Sequence, residues 1–336
     1  MSSLLDYKIT TLRCEEGEDG VENTSLLSYK NASNFDKHIR FEEEGHRYWI
    51  KGIEKDIISS TTLIHLYFPH FESEKIIKRI VRSRRCREDP DYKYFNMTAT
   101  EISDMWAANG KQASDLGTIL HAMIEHNLEG KVIKNDSLEY GYYENFMLEH
   151  QHLTPYRTEW MVCAEELRIT GSIDAVFENP DGTLSIVDWK RSKGVDKKAF
   201  RKSDTAYYPF KHMPDCNFSK YSLQLNLYRV IIETYYDKKV KDMFLVVLHP
   251  NQKNYQKIMV PRLEREGLML LESRKQSLLK MGYTITRTFC DLPSNIKQPT
   301  LVQSLEPKMD QTNVQTLEVH RSRPDTKPGL TVDCLI

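Results

Sequence analysis

Three residues combine types and spacing that could do chemistry: Asp174, Asp188 and Lys190, within the stretch GSIDAVFENPDGTLSIVDWKRSK from Gly171 to Lys193. The stretch reads as two strands around a reversal. Ile173, Ala175, Val176 and Phe177 make the first apolar run, with Asp174 inside it, and Leu184, Ile186 and Val187 lead into Asp188-Trp189-Lys190. Between them lies Asn179-Pro180-Asp181-Gly182, in which Pro sets φ, Asp bonds locally and Gly tolerates positive φ. Side chains alternate along a strand, so Asp188 and Lys190 share one face and Trp189 takes the other. Simple hairpin pairing brings Asp174 opposite the Asp188/Lys190 end. Two carboxylates and an ammonium on an apolar sheet are costly unless they are paired or hold a cation. Mg²⁺ or Mn²⁺ suits such oxygen ligands. A buried Asp–Lys ion pair is the plainer reading of the same residues.

Other polar residues fall on helices that would have to flank this hairpin. His121 and Glu125 stand four apart on a predicted helix from about Ala113 to Leu128 and can share a face. Gln224 and Tyr228 are one turn apart on an amphipathic helix over Tyr221 to Tyr236, whose stripe is Leu223, Leu227, Val230, Ile231 and Tyr235. Ser59 to Thr62 precede Leu63 and Ile64 as a capped helix start, and Ser60 and Thr61 are candidate phosphate contacts there. A helix from Glu74 to about Arg87 puts Ile76, Ile77, Ile80 and Val81 on one side and a basic run on the other, with Arg82, Arg84 and Arg85 as candidate phosphate contacts. Arg191 and Lys193 begin a second basic stretch that runs on to Lys202 and is followed by Tyr207, Tyr208 and Phe210. That mixture of charge and flat rings suits single-stranded nucleic acid, and a solvated loop is its plainer reading.

The remaining elements follow from periodicity. Residues 46–52 predict a short strand and turn. Thr98 to Glu101 has capping-box spacing and predicts a helix to Gly110, separate from the one beginning at Ala113. A helix over about Leu138 to His152, a strand from Thr158, an apolar strand over Asp242 to His249, a strand at Tyr255 to Val260 and a helix over Leu263 to Lys280 complete the pattern. Residues 1–36 are acidic and poor in aromatics, and residues 286–336 are polar and Pro-punctuated; both predict loosely ordered tails.

The chain has 336 residues with 47 basic and 48 acidic side chains, so any nucleic-acid contact must rest on local basic patches. No run is long enough to span a bilayer, and the polar start MSSLLDYKITT predicts no secretory signal. Six scattered cysteines with no C-x-x-C pair argue against zinc ribbons and iron–sulfur clusters and predict free thiols in a reducing, intracellular compartment.

Four motifs, in order, resemble the RecB-like branch of the PD-(D/E)XK nuclease superfamily, which includes mitochondrial genome maintenance, Cas4-type and phage exonucleases: Gly117–Glu125 (GTILHAMIE), Gly171–Phe177 (GSIDAVF), Ile186–Lys190 (IVDWK) and Gln224–Tyr228 (QLNLY). The cysteines that bind a cluster in Cas4-type members are missing. The resemblance covers roughly Ser59 to Leu279. It implies an α/β, restriction-endonuclease-like core: a central mixed β-sheet flanked by helices, with a helical N-terminal section over the active face. It divides the chain into a nuclease domain over 37–285, mainly helical to 155, and the two tails. It implies one or two Mg²⁺ or Mn²⁺ ions held by Asp174, Asp188, His121 and the Trp189 carbonyl, with Glu159 as the upstream acid and Glu165 and Glu166 as its competitors. Lys190 would orient the attacking water, and Gln224 and Tyr228 would brace the site and touch the substrate backbone. The implied activity is hydrolysis of DNA, as an exonuclease on single-stranded or flapped ends in repair, recombination or replication, without membrane partners and with possible protein partners at the tails. An endonuclease of the same fold, or an inactive nucleic-acid-binding module, is the alternative.

Overall fold

The computed structural model describes residues 25–42, 45 and 47–290. Residues 1–24, 43–44, 46 and 291–336 lie outside the described residues, and with them most of both expected tails. The chain is α/β, with a six-stranded mixed sheet between helical layers. Its strands are β3 (Ile58–Ser59), β4 (Thr154–Ala164), β5 (Ile169–Glu178), β6 (Leu184–Lys190), β7 (Val240–Val247) and β8 (Gln256–Met259). A separate antiparallel hairpin, β1 (Ile39–Glu42) with β2 (Arg47–Ile50), precedes them.

The β5–β6 hairpin forms as its residues predict. Gly182 takes φ +76°, its N–H donates to the Asn179 carbonyl at 2.9 Å, and the Asp181 carboxylate accepts from the Thr183 N–H at 3.1 Å. Ala175 pairs with Val187 and Phe177 with Ser185, which puts Asp174 beside Asp188. β6 then runs parallel to β7, whose Phe244 to Val247 are buried through and through, as a central strand requires.

One property of β5 positions the site. Along one edge it pairs with β4 from Ile169 to Glu178. Its other edge is shared: β3 takes Ile169 and Thr170, and β6 takes Ala175 to Glu178. Residues 171–174 of that edge pair with neither strand, so the sheet is split where Asp174 sits.

Helices α5 (Ala99–Leu128) and α6 (Leu138–Glu149) cover one face, burying Ala175, Phe177, Val187 and Trp189. The opposite face, with Trp160, Ile173, Val176 and Ile186, is covered by α7 (Asn217–Tyr235) and α8 (Glu264–Lys280), with α2 (Ser60–His65) at its edge. Trp189 is fully enclosed, its ring edge-on to Tyr143 and Phe146.

Three local expectations differ from what forms. The break expected after Gly110 does not occur: α5 is one 30-residue helix with Gly110 buried inside it. A helical glycine costs about 1 kcal/mol, and the helix carries on through it because both halves are anchored, Trp106 in one buried cluster and Leu120 in another. The basic helix expected over 74–87 is instead two, α3 (Ser73–Arg82) and α4 (Arg84–Glu88), because Ser83 turns extended and caps the second by accepting from the Cys86 N–H. Finally, residues 25–36, expected to be loose, include helix α1 (Leu26–Lys30) and a 3₁₀ turn at Asn34–Lys37. They are tied to β4, where Arg157 pairs with Asp36 at 2.9 Å and Asn31 donates to the Tyr156 carbonyl at 2.8 Å. At the other end, residues 286–290 contact α8, with the Phe289 N–H donating to Glu272 at 3.1 Å.

Candidate metal centre

Asp174 fills the split in the sheet. Its Oδ2 accepts from the Trp189 N–H at 3.0 Å, so the carboxylate takes over a bond that a neighbouring strand would have made. α5 delivers His121 to the same place: Nδ1 stands 3.6 Å from Asp174 Oδ2 and 4.0 Å from Glu159 Oε1. Ligand atoms of His121, Glu159 and Asp174 all lie within 4.8 Å of one another.

Glu159 reaches this cluster through an unusual backbone. It sits in β4 at φ +39°, between the pairs Thr158–Ala175 and Trp160–Ile173, and so opposite Asp174. That conformation costs a non-glycine residue roughly 1–3 kcal/mol. Its Oε2 accepts from the Ser172 hydroxyl at 2.8 Å. The competing acids are engaged elsewhere: Glu165 pairs with His38 at 2.6 Å, and Glu166 accepts from the Tyr235 hydroxyl at 2.8 Å.

His121 Nε2 stands 2.9 Å from the Trp189 carbonyl oxygen. That is a hydrogen-bond length, and since a carbonyl only accepts, Nε2–H donates. The buried Nδ1 makes no hydrogen bond and faces two carboxylates. Two carboxylates and the imidazole Nδ1 come together as a donor set that fits a divalent cation such as Mg²⁺ or Mn²⁺, whereas the Trp189 carbonyl, expected as a further ligand, lies at the other ring nitrogen.

Asp188 is adjacent but differently engaged. It lies outside the three-residue cluster and ion-pairs with Lys190, Oδ2 to Nζ at 2.7 Å. Burial pushes the Asp188 carboxyl up, to about 6, and the charge of Asp174 adds to the effect while Lys190 opposes it. For Lys190, burial works against the ammonium, but the Asp188 and Asp174 carboxylates outweigh it and raise its pKa. The ammonium also lies over the Tyr221 ring, 4.8 Å from its centroid. Tyr221 carries no motif signal in the sequence, although it precedes Gln224 by three and Tyr228 by seven on the same side of α7.

Gln224 and Tyr228 come together behind the open strand edge. The Gln224 amide and the Ser60 hydroxyl both donate to the Tyr228 hydroxyl at 3.0 Å. This is possible because residue 171 is glycine: a Cβ there would lie 2.5 Å from both Ser60 Oγ and Tyr228 Cε1. Ser60 and Tyr228 are therefore buried, which does not fit the expectation that they touch a phosphate directly. Ser59, not Ser60, caps α2, by accepting from the Thr62 N–H, and Thr61 is half-buried beside it.

The basic residues part company. Arg191 is not a surface contact, because it turns inward and pairs with the buried Glu139 at 2.8 Å. Arg84 and Arg85 are exposed but held by Glu88 at 2.6 Å and Asp89 at 3.2 Å. Arg82 and Lys193 are exposed. Cys86, Cys163, Cys216 and Cys290 are free thiols, and Cys14 and Cys334 lie outside the described residues. Among the described residues no helix is long and apolar enough to cross a membrane.

No protein-family model matches the chain, and no curated protein matches it. Among solved structures, a crystal structure of SSO0001 is similar at 13% identity and a TM-score of 0.30, covering 77% of this chain and 85% of that one. A likeness that weak bears on neither fold family nor function.

Proposed function

We propose that this chain is a divalent-metal-dependent nuclease that hydrolyses DNA phosphodiester bonds, as an exonuclease on single-stranded or flapped ends in repair, recombination or replication. The observation that carries the reading is the meeting of His121, Glu159 and Asp174 at a split in the sheet, with the Asp188–Lys190 pair beside them. It agrees with the resemblance to PD-(D/E)XK nucleases, whose motif positions these are.

Each residue has a part. A bound divalent ion would lower the pKa of a water and offset charge developing on the phosphorane. His121 through Nδ1, Glu159 and Asp174 would hold it, with Asp188 beside them and the Trp189 carbonyl orienting the imidazole through Nε2. The Trp189 N–H fixes Asp174, and Ser172 fixes Glu159. Lys190, seated between Asp188 and Tyr221, presents a cation to the scissile phosphate, where a drying site strengthens it. Ser60, Gln224 and Tyr228 keep the open edge of β5 rigid. α5 and α6 pack over one face, which favours a threaded end over an internal segment.

The test is a time course on end-labelled linear and circular single-stranded DNA with Mg²⁺ or Mn²⁺. Shortening of the linear strand with the circle intact is expected, and Asp188→Ala or Lys190→Ala should abolish cleavage while DNA binding persists. Intact single- and double-stranded DNA in both metals would refute the proposal, and cleavage of the circle would make the enzyme an endonuclease.

A further inference from the structure

Among the described residues, the loop that follows Lys190 carries the most exposed of the large apolar side chains. Phe200 is 92% exposed, a state in which a large ring gains nothing from the fold itself. Around it stand Lys197, Lys198, Arg201 and Lys202, and among the described residues none of these four side chains makes an ion pair. Arg201 meets Asp204 through its backbone N–H, not its guanidinium. On the basic helices α3 and α4, Lys75, Arg84 and Arg85 are matched by Glu72, Glu88 and Asp89, while Arg79, Arg82 and Arg87 make no ion pair among the described residues. The loop differs in setting its four cations around an exposed ring.

The loop is also joined to the site. The Phe218 N–H donates to the Asp196 carbonyl at 3.1 Å, and Lys197 lies over the Phe218 ring at 5.1 Å. One turn along α7, Lys190 lies over Tyr221 at 4.8 Å. Two successive cation-on-ring contacts therefore run along one flank of α7, from the loop to the lysine of the site.

We infer that the loop over residues 193–202 is the landing surface for a single strand of DNA, with Phe200 stacking on a base and the four cations facing phosphates. The strand's destination rests on the nuclease reading; the surface itself does not. A free ring adds binding only where a partner offers an unstacked flat face. A single strand does so and an intact duplex does not.

The test uses the full chain in EDTA, with anisotropy of labelled oligo-dT and of a blunt duplex of equal length. Phe200→Ala is expected to weaken oligo-dT binding roughly 5- to 100-fold, to leave the duplex unchanged, and to be rescued by Phe200→Tyr. Replacing all four cations with Gln should flatten the dependence of log K on log salt by up to about 0.7 for each phosphate that is no longer neutralised. Wild-type affinity in Phe200→Ala, equal weakening of duplex binding, or polyglutamate binding as tightly as oligo-dT would overturn the inference. Single-strand binding with this pattern but no cleavage in Mg²⁺ or Mn²⁺ would sink the nuclease reading and leave the surface standing.

Discussion

Asp188 gives the site a measurable signature without any substrate. Its carboxyl is 4% exposed and pushed up to about 6 from an ordinary 3.8, first by burial and then by Asp174. The folded chain therefore holds this proton more tightly than the unfolded chain does. Protonation stabilises the fold fully below pH 3.8, and that stabilisation is lost as pH rises through 6. The difference, 6 − 3.8 = 2.2 units, corresponds to about 3 kcal/mol over the whole range. Between pH 5 and 7.5 somewhat under half of it, slightly above about 1 kcal/mol, should be visible. Asp188→Asn removes the titration, while the loss of Lys190's partner is a constant offset because Lys190 stays charged throughout. The measurement is urea unfolding of both proteins in EDTA across that interval. Wild type should lose about 1 kcal/mol relative to Asp188→Asn as pH rises. A flat difference, or a wild type that gains on the variant with rising pH, would mean that Lys190 overrides burial and the electrostatic account is wrong.

Two further outcomes are expected. Gly171→Ala places a methyl 2.5 Å from Ser60 Oγ and Tyr228 Cε1, and should destabilise the chain by about 1–3 kcal/mol in denaturant melts; unchanged stability would show that the strand edge yields to an added methyl. Tyr221→Phe should keep nuclease kcat near wild type because the ring under Lys190 remains, whereas Tyr221→Leu should lower kcat by about tenfold or more with KM little changed, in line with a cation–π contact of about 1–2 kcal/mol. Equal kcat in the Phe and Leu variants would remove the ring from the argument.

Much of the site was legible in the sequence, because it is carried by local pattern. Asp174, Asp188 and Lys190 are close in the chain and joined by a reversal whose residues dictate its geometry, so strand alternation alone predicts their meeting. The α/β class followed from the same periodicities. What tertiary structure decided was everything that depends on partners distant in sequence. The edge of β5 is shared between β3 and β6, and this opens the gap that Asp174 fills; no window around Asp174 contains that information. Glu159, and neither Glu165 nor Glu166, stands beside His121 and Asp174 because β4 takes a positive φ opposite Asp174, while His38 and Tyr235 engage the other two. Arg191 looked like a surface cation because its charge is local, and it turns inward because the buried Glu139 on α6 meets it across the fold. Residue types and short spacings are fixed along the chain; which charges are matched, and which are left facing outward, depends on what folding brings alongside them.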